Sequence, residues 1–182
     1  GGADLTREMV RAADVSSLPV ETAGSPLAPD ERDRWLSLAL TVVAADLVGT
    51  MAGGLRKAVA YAKEREQYGV KIGTFQAIQH LCADTLVQIE AASSTTRYAA
   101  WALDAAEPAD ALLAARVAKA YASSVAAEVT ENVMQVFGGI GQTWEHLAHV
   151  YTRRALTDRV VLGDESHHLL HIADSRLGSV AV

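Results

Sequence analysis

Beyond residue 30 the chain carries a single proline, Pro108, and its alanine-rich segments place apolar residues at helical spacing over long stretches. That combination leaves little room for anything but helices. Alanine is the strongest helix former, whereas the aromatic content that suits pleated sheet is only 5%. No strand pattern of period two occurs after residue 30. The punctuation then divides the chain. With Asp30 as N-cap, a first helix shows its periodicity over 35–61 and ends near Glu66. A second covers 74 to about 104. Pro108 breaks the chain, and a third helix runs from Asp110, or the turn before it, to Phe137. After "GGIGQT" a fourth runs from about 144 to 162, and "GDES" separates it from a short last helix over 167–175. The expected fold is all-α: an up-and-down four-helix bundle with a short additional C-terminal helix over 31–182. Residues 1–30, with three of the four prolines, read as linker.

At 182 residues, half of them hydrophobic, the chain suits one packed domain. A net charge of −6 argues against nucleic acid, which needs clustered cations. The single cysteine, Cys82, excludes an internal disulfide and fits a reducing, cytoplasmic setting. No apolar run reads as long enough to span a membrane, and no charged-then-apolar leader is present. The opening "GG", with no initiator methionine, reads as a cut end or cloning scar, so the chain is expected to be a piece of a longer protein. Gly49, Gly53 and Gly54 inside the first helix each weaken it by about 1 kcal/mol relative to alanine, which points to close packing against a neighbour.

The segment "AYAKEREQYGVKIGTFQAIQH" is richer than a helix connection needs. It holds a guanidinium (Arg65), an amide (Gln67), a phenol (Tyr68) and a turn glycine (Gly69), then Phe75 with Gln76 opening the next helix. Such a set suits a ligand with phosphates and a flat ring. The second break, "ENVMQVFGGIGQTWEH", gathers Gly138, Gly139 and Gly141 behind a long helix. Two readings stand side by side: a helix C-cap with a flexible joint, or a turn that lets backbone amides approach a ligand. It is no dinucleotide fingerprint, because no strand precedes it. His167, His168 and His171 fall on one short helix, with His146 and His149 nearby. No cysteine completes a zinc set, so surface histidines are the default and no metal is expected. Arg153, Arg154 and Arg159 read as a salt-bridged face paired with acids such as Glu145 and Asp158.

Two of these stretches resemble a known family. "YAKEREQYGVKIGTFQAIQH" looks like the acyl-CoA dehydrogenase segment R-x-Q-[FY]-G-x-x-I-x-x-F-Q, and "QVFGGIGQTWEHLAHVYTRRA" resembles that family's Q-x-x-G-G-x-G-[FY]-x-x-E-x-x-x-x-x-x-x-R. The likeness covers about 38–173, the C-terminal helical domain of these flavoenzymes, and "DLTREM" is similar to the tail of their middle β-domain. The resemblance implies a domain that reaches across a subunit interface to hold a neighbour's FAD. Arg65 then pairs with the pyrophosphate, Gln67 bonds the phosphate or adenosine end, and Tyr68 packs over it. Ile72, Phe75 and Ile78 form the apolar wall around the adenine. Gln135 takes the other side, where Gly138 and Gly139 let the backbone close on the cofactor. It also implies an acyl-CoA substrate and an electron-transfer flavoprotein or similar acceptor. A helical interaction module that kept the fold and lost the cofactor is the rival reading.

In many members of the family the catalytic glutamate opens an E-G-T segment just before the last helix. Setting "GDES" against it puts Asp164 in the glutamate's place, with Glu165 for the glycine and Ser166 for the threonine. Either Asp164 is the base or it caps the final helix. Other relatives carry the base on the first helix of this domain, at Ala39, followed by an arginine where this chain has Leu40. Those changes resemble the bacterial members that form α₂β₂ assemblies for bulky thioesters such as steroid side-chain CoA esters. There a partner supplies the base, and that is the preferred expectation. A homo- or hetero-oligomer, a dimer of dimers, follows from the same resemblance.

Overall fold

Pro29 opens the first helix, α1 (Pro29–Glu64), where its missing N–H removes no helical bond. The protein is represented by a computed structural model that describes residues 3–8, 16, 19 and 24–178. Asp30, expected as N-cap, therefore lies inside the first turn. Glu31 reaches back to accept a 2.9 Å hydrogen bond from Ala28 N, and both acids complement the helix dipole. α2 (Gln76–Ala105), α3 (Pro108–Phe137), α4 (Ala148–Val160) and α5 (Glu165–Leu177) complete the up-and-down arrangement that the sequence predicts.

Two details differ. The fourth helix begins at Ala148, not near 144, so it has only 13 residues beside three long neighbours. The glycine-rich stretch Gly138–Gln142 winds as a 3₁₀ helix, and the His146 ring accepts a 3.1 Å hydrogen bond from Ala148 N at the mouth of α4. Between α1 and α2 a small antiparallel hairpin pairs β1 (Glu66–Gln67) with β2 (Val70–Lys71), where no strand was expected. Its turn residues, Tyr68 (φ 54°) and Gly69 (φ 79°), are both left-handed, as a two-residue hairpin turn of type I′ requires. Strands of two residues are too short to show any period.

α3 packs against each of the other four helices. Its inward stripe of Ala111, Ala115, Ala118, Ala122, Ala126 and Val129 recurs at three- and four-residue steps and lets the neighbouring backbones come close. Leu40, Leu47 and Met51 of α1 fill the space left, each fully buried and each worth about 1.5–3 kcal/mol. Two of the three α1 glycines serve packing. A Cβ on Gly53 would lie 2.9 Å from the Tyr151 ring of α4, and one on Gly54 would meet Val133 at 3.5 Å, whereas Gly49 faces open space.

The sequence reading of no membrane-length apolar run needs correction. By length and composition α1 is long and apolar enough to cross a membrane, with an 18-residue window of mean hydropathy 1.7. Half of that window is buried within the bundle, which accounts for its apolar character on the inner face. The expected linker is also partly structured. Residues 3–8 dock on the bundle through Arg7, which ion-pairs with both Asp46 of α1 and Asp158 of α4. Arg154 donates to Thr6 Oγ1 at 2.6 Å, and Arg153 to the Ala3 carbonyl at 3.3 Å. Most of the remaining linker lies outside the described residues.

Candidate functional site

The C-terminal ends of α1 and α3 lie side by side and enclose a crevice of about 360 Å³. Arg65, Gln67, Ile72 and Gly139 line it, so four residues singled out in the sequence from two separate stretches meet at one place. Arg65 is exposed, and among the described residues no carboxylate lies within ion-pair distance of it. Its neighbours are matched differently: Glu66 pairs with Lys71 at 2.6 Å, which leaves the guanidinium as the unneutralised charge at the rim. Gly138 takes φ 62° as the residue ending α3, a backbone state that favours glycine. Gly139 has nothing within 4 Å where a Cβ would sit, so a ligand can reach its backbone.

Tyr68 and Phe75 stand beside the crevice, not in its lining. Their rings meet edge to face at 6.4 Å, and Tyr68 is 94% exposed on the hairpin tip. Ile78 packs at the border of the core, and Gln135 is exposed on α3 one turn before Gly138, whose N–H bonds the Gln135 carbonyl. The structure adds lining residues that the sequence reading missed: Tyr61, Val136, Phe137 and Ile140. Tyr61 was legible, because it precedes Arg65 by one helical turn. Behind the crevice Phe137 stacks on Tyr61 at 5.2 Å and on His146 at 4.2 Å, a ring cluster that stiffens its floor. Among the described residues no group of three or more metal-ligating side chains is found, and the His167 ring meets His171 at 4.7 Å and His168 at 5.1 Å, both edge to face.

Against the middle of α3 lies the turn between α4 and α5. Asp164 is the N-cap of α5: its Oδ1 accepts a 2.9 Å hydrogen bond from His167 N. Glu165 is held by Arg159, whose Nε donates at 3.0 Å and whose Nη2 completes a two-pronged ion pair, so its carboxyl titrates below the usual range. Of the basic cluster, Arg154 and Arg159 are salt-bridged as expected but to other acids, whereas Arg153 has no ion pair among the described residues. Arg154 grips Asp46 with bonds of 2.8 and 2.9 Å, and Asp158 is taken by Arg7. Arg153 lies over the Trp144 ring at 5.5 Å. Leu40 is fully buried on α1, and from there to Arg65 is about 37 Å of helix at 1.5 Å per residue.

The family profile for the C-terminal domain of acyl-CoA dehydrogenase matches residues 36–177. The chain belongs to the acyl-CoA dehydrogenase family. Among curated relatives, it is 45% identical over 123 residues to acyl-CoA dehydrogenase FadE34 of Mycobacterium tuberculosis, covering 68% of this chain and 17% of that protein. It is 39% identical over 130 residues to acyl-CoA dehydrogenase IpdE2 of the same organism, covering 71% of this chain and 38% of that one. Among solved structures, butyryl-CoA dehydrogenase from Megasphaera elsdenii superposes with a TM-score of 0.75 at 31% identity, over 80% of this chain and 38% of that one. The Tcur3481–Tcur3483 steroid acyl-CoA dehydrogenase does so with 0.74 at 35% identity, over 80% and 40%. This acyl-CoA dehydrogenase domain therefore spans well under half the length of these relatives.

Proposed function

We propose that this chain is the helical domain that completes a flavin site in an acyl-CoA dehydrogenase, closing over the FAD of a neighbouring subunit. The observation that carries the reading is the unneutralised Arg65 at the rim of a crevice whose other wall includes the open backbone of Gly139. An exposed guanidinium with free donors suits a pyrophosphate, which it binds by paired charge-assisted hydrogen bonds. The residues fit the group: Gln67 offers an amide at the same rim, Ile72 and Ile140 supply apolar wall, and Tyr68 and Phe75 present ring faces beside it. The crevice volume admits part of a dinucleotide and no more, as half of a shared site should. When bound, FAD supplies the hydride acceptor for α,β-dehydrogenation of the thioester. This chain's share is to hold the phosphate end by charge and exclude water with its apolar wall.

A heteromeric assembly acting on bulky thioesters fits the names of two similar structures, a steroid acyl-CoA dehydrogenase and the ChsE4–ChsE5 complex from Mycobacterium tuberculosis, the latter 25% identical with a TM-score of 0.73. We assign the catalytic base to another chain. Asp164 is occupied as a helix cap and Glu165 by Arg159. The glycine demanded by the fold is Gly163, at φ 103°. Matching it to the glycine of E-G-T moves the register by one, so that Leu162 stands in the glutamate's place and Asp164 in that of threonine, another N-cap residue.

The deciding experiment is the flavin absorbance of the full-length protein purified with its partners. We expect bound FAD, with affinity lowered at least about tenfold by Arg65→Ala, the loss of one charge-assisted contact. An assembly without flavin, or one indifferent to that substitution, refutes the reading. Asp164→Asn keeps a cap and removes the acid, so turnover should persist. A loss of about three orders of magnitude with FAD still bound would make Asp164 the base after all.

A further inference from the structure

One face of α2 packs inward: Thr85, Ile89, Ala92, Thr96 and Ala99 are buried on the side that meets α1 and α3. On the opposite face Val87, Ala91, Ser94, Tyr98 and Trp101 follow one another at alternating steps of four and three residues, the spacing of a helix–helix seam. The large members of that seam are open to solvent. Val87 is 68% exposed, Tyr98 59% and Trp101 58%. The two rings lie 5.5 Å apart and, with Ser94, Thr95, Leu113 and Val117, line a groove of about 620 Å³ between α2 and α3. Single apolar residues on a surface are ordinary, but tyrosine and tryptophan gathered along a groove mark contact with another protein. Ser94 Oγ already donates to the Glu90 carbonyl at 2.8 Å, so this small residue can be covered without leaving a donor unmet.

The charges beside the seam point to what covers it. Glu90 and Arg97 are both exposed, lie on the same flank of the seam and make no ion pair among the described residues. They stand four residues before Ser94 and three after it, while Val87 and Trp101 stand seven before and seven after. Such a face is its own complement. We infer that α2 pairs antiparallel with α2 of a second copy of this chain, about a two-fold axis beside Ser94. The axis sets Trp101 against Val87 of the other copy and Tyr98 against its Ala91, so a large side chain meets a smaller one each time. It brings Glu90 to Arg97 of the other copy on the shared flank, and symmetry repeats that pair. A parallel pairing in register would instead set Glu90 against Glu90 and Trp101 against Trp101, which charge and bulk both oppose. The flavin crevice lies before the N-terminal end of α2, at Arg65 and Ile72, whereas the seam runs through its C-terminal half. The two contacts use different surfaces, and the α2 pair stands whether or not the crevice holds a flavin.

The test is disulfide trapping in the full-length protein purified with its partners. Ser94→Cys sits beside the axis and should link two copies of this chain under mild oxidation. Ala100→Cys, exposed on α2 but turned away from the seam, should link no more than the parent, whose Cys82 sets the background. In the Ser94→Cys protein, Glu90→Lys or Arg97→Glu alone should lower the linked fraction about tenfold by facing like charges across the axis. The two reversals together should restore it to within about twofold. Trp101→Ala should also lower it about tenfold, with the melting temperature unchanged because the ring is exposed. No link above background, a link to a different chain, or a linked fraction indifferent to either single reversal overturns the inference. So does a double reversal that stays as low as the single ones. An assembly that holds no FAD and still gives the link sinks the flavin reading and supports the α2 pair.

Discussion

Lys119 Nζ and the Gly163 carbonyl lie 2.8 Å apart, a bond that ties the middle of α3 to the strained turn ahead of α5. Keeping an ammonium inside the bundle has a cost that shows in titration. Burial pushes the Lys119 amine down to about 8, against the opposing pull of Glu165, Asp158 and Asp164.

The first prediction follows from that shift. The folded pKa lies below the unfolded one, so between pH 8 and about 10.5 the unfolded chain binds more protons than the folded one. Stability credited to Lys119 is complete above that window and is lost as pH falls through it, by about 3 kcal/mol. Denaturant unfolding of the parent minus that of Lys119→Met should rise across the window. A difference that stays flat would mean the amine is not held as the structure has it.

Two other buried groups oppose each other at lower pH. Burial pushes Asp158 up to about 6, assisted by the neighbouring Asp46 carboxyl and resisted by Arg7. Its contribution is complete below the unfolded value near 3.9 and is lost as pH rises through 6. Burial pushes His168 down to about 4, so its contribution is complete above 6.5 and lost as pH falls through 4. The parent should therefore show a shallow pH dependence between these values. Asp158→Asn should expose a stability that rises with pH, and His168→Gln one that falls, each by about 3 kcal/mol. Equal profiles for all three would sink this account.

Arg7 carries the docked N-terminal segment. Without it the fully buried Asp158 loses its cation, a change that costs about 3–5 kcal/mol when the carboxylate must stay charged. Protonation relieves the penalty, so Arg7→Met should destabilise the protein more at pH 8 than at pH 5. Urea unfolding at the two pH values checks the order, and a loss independent of pH contradicts it.

The helices and the crevice were legible because their signals are local. The 3.6-residue period and Pro108 place α1 to α3, and Arg65 and Gly139, residue types that packing alone does not need, meet at one crevice. The α4–α5 end was less legible. Asp164 was set against the family's glutamate by letter alone, and nothing local says that Gly163, not Glu165, is the residue forced to positive φ. Lys119 left a readable trace: it is a charge next to the buried stripe of Ala115, Ala118 and Ala122. Its partners, however, are carbonyls 40 and 44 positions away, and only the packing of α4 on α3 reveals them. The pairing of Arg7 with Asp158, 151 positions apart, was beyond any local pattern.

The glycines of α1 separate packing from permissiveness. Gly49 faces open space, so Gly49→Ala adds helix propensity with no clash and should stabilise by about 1 kcal/mol. At Gly53 the same methyl would sit 2.9 Å from the Tyr151 ring, and moving that ring off α1 should cancel the gain or exceed it. Thermal unfolding of the two variants decides. If Gly53→Ala gained as much as Gly49→Ala, the close approach of α4 would be doing nothing for the fold.

The last prediction concerns what these 182 residues do by themselves. Arg65 stands exposed at the rim of a crevice of about 360 Å³, and the opposite wall joins the open backbone of Gly139 to Val136, Phe137 and Ile140. A site of that size holds one end of a dinucleotide through one guanidinium, one amide and a strip of apolar surface. A single charge-assisted contact is worth about 1.5–3 kcal/mol, far short of the roughly 8 kcal/mol that micromolar retention requires. FAD added to the isolated chain should therefore separate from it on gel filtration, while the full-length assembly keeps its flavin. One FAD retained per isolated chain, and released by Arg65→Ala, would show that the domain carries a whole site, and the shared-site reading would have to be abandoned.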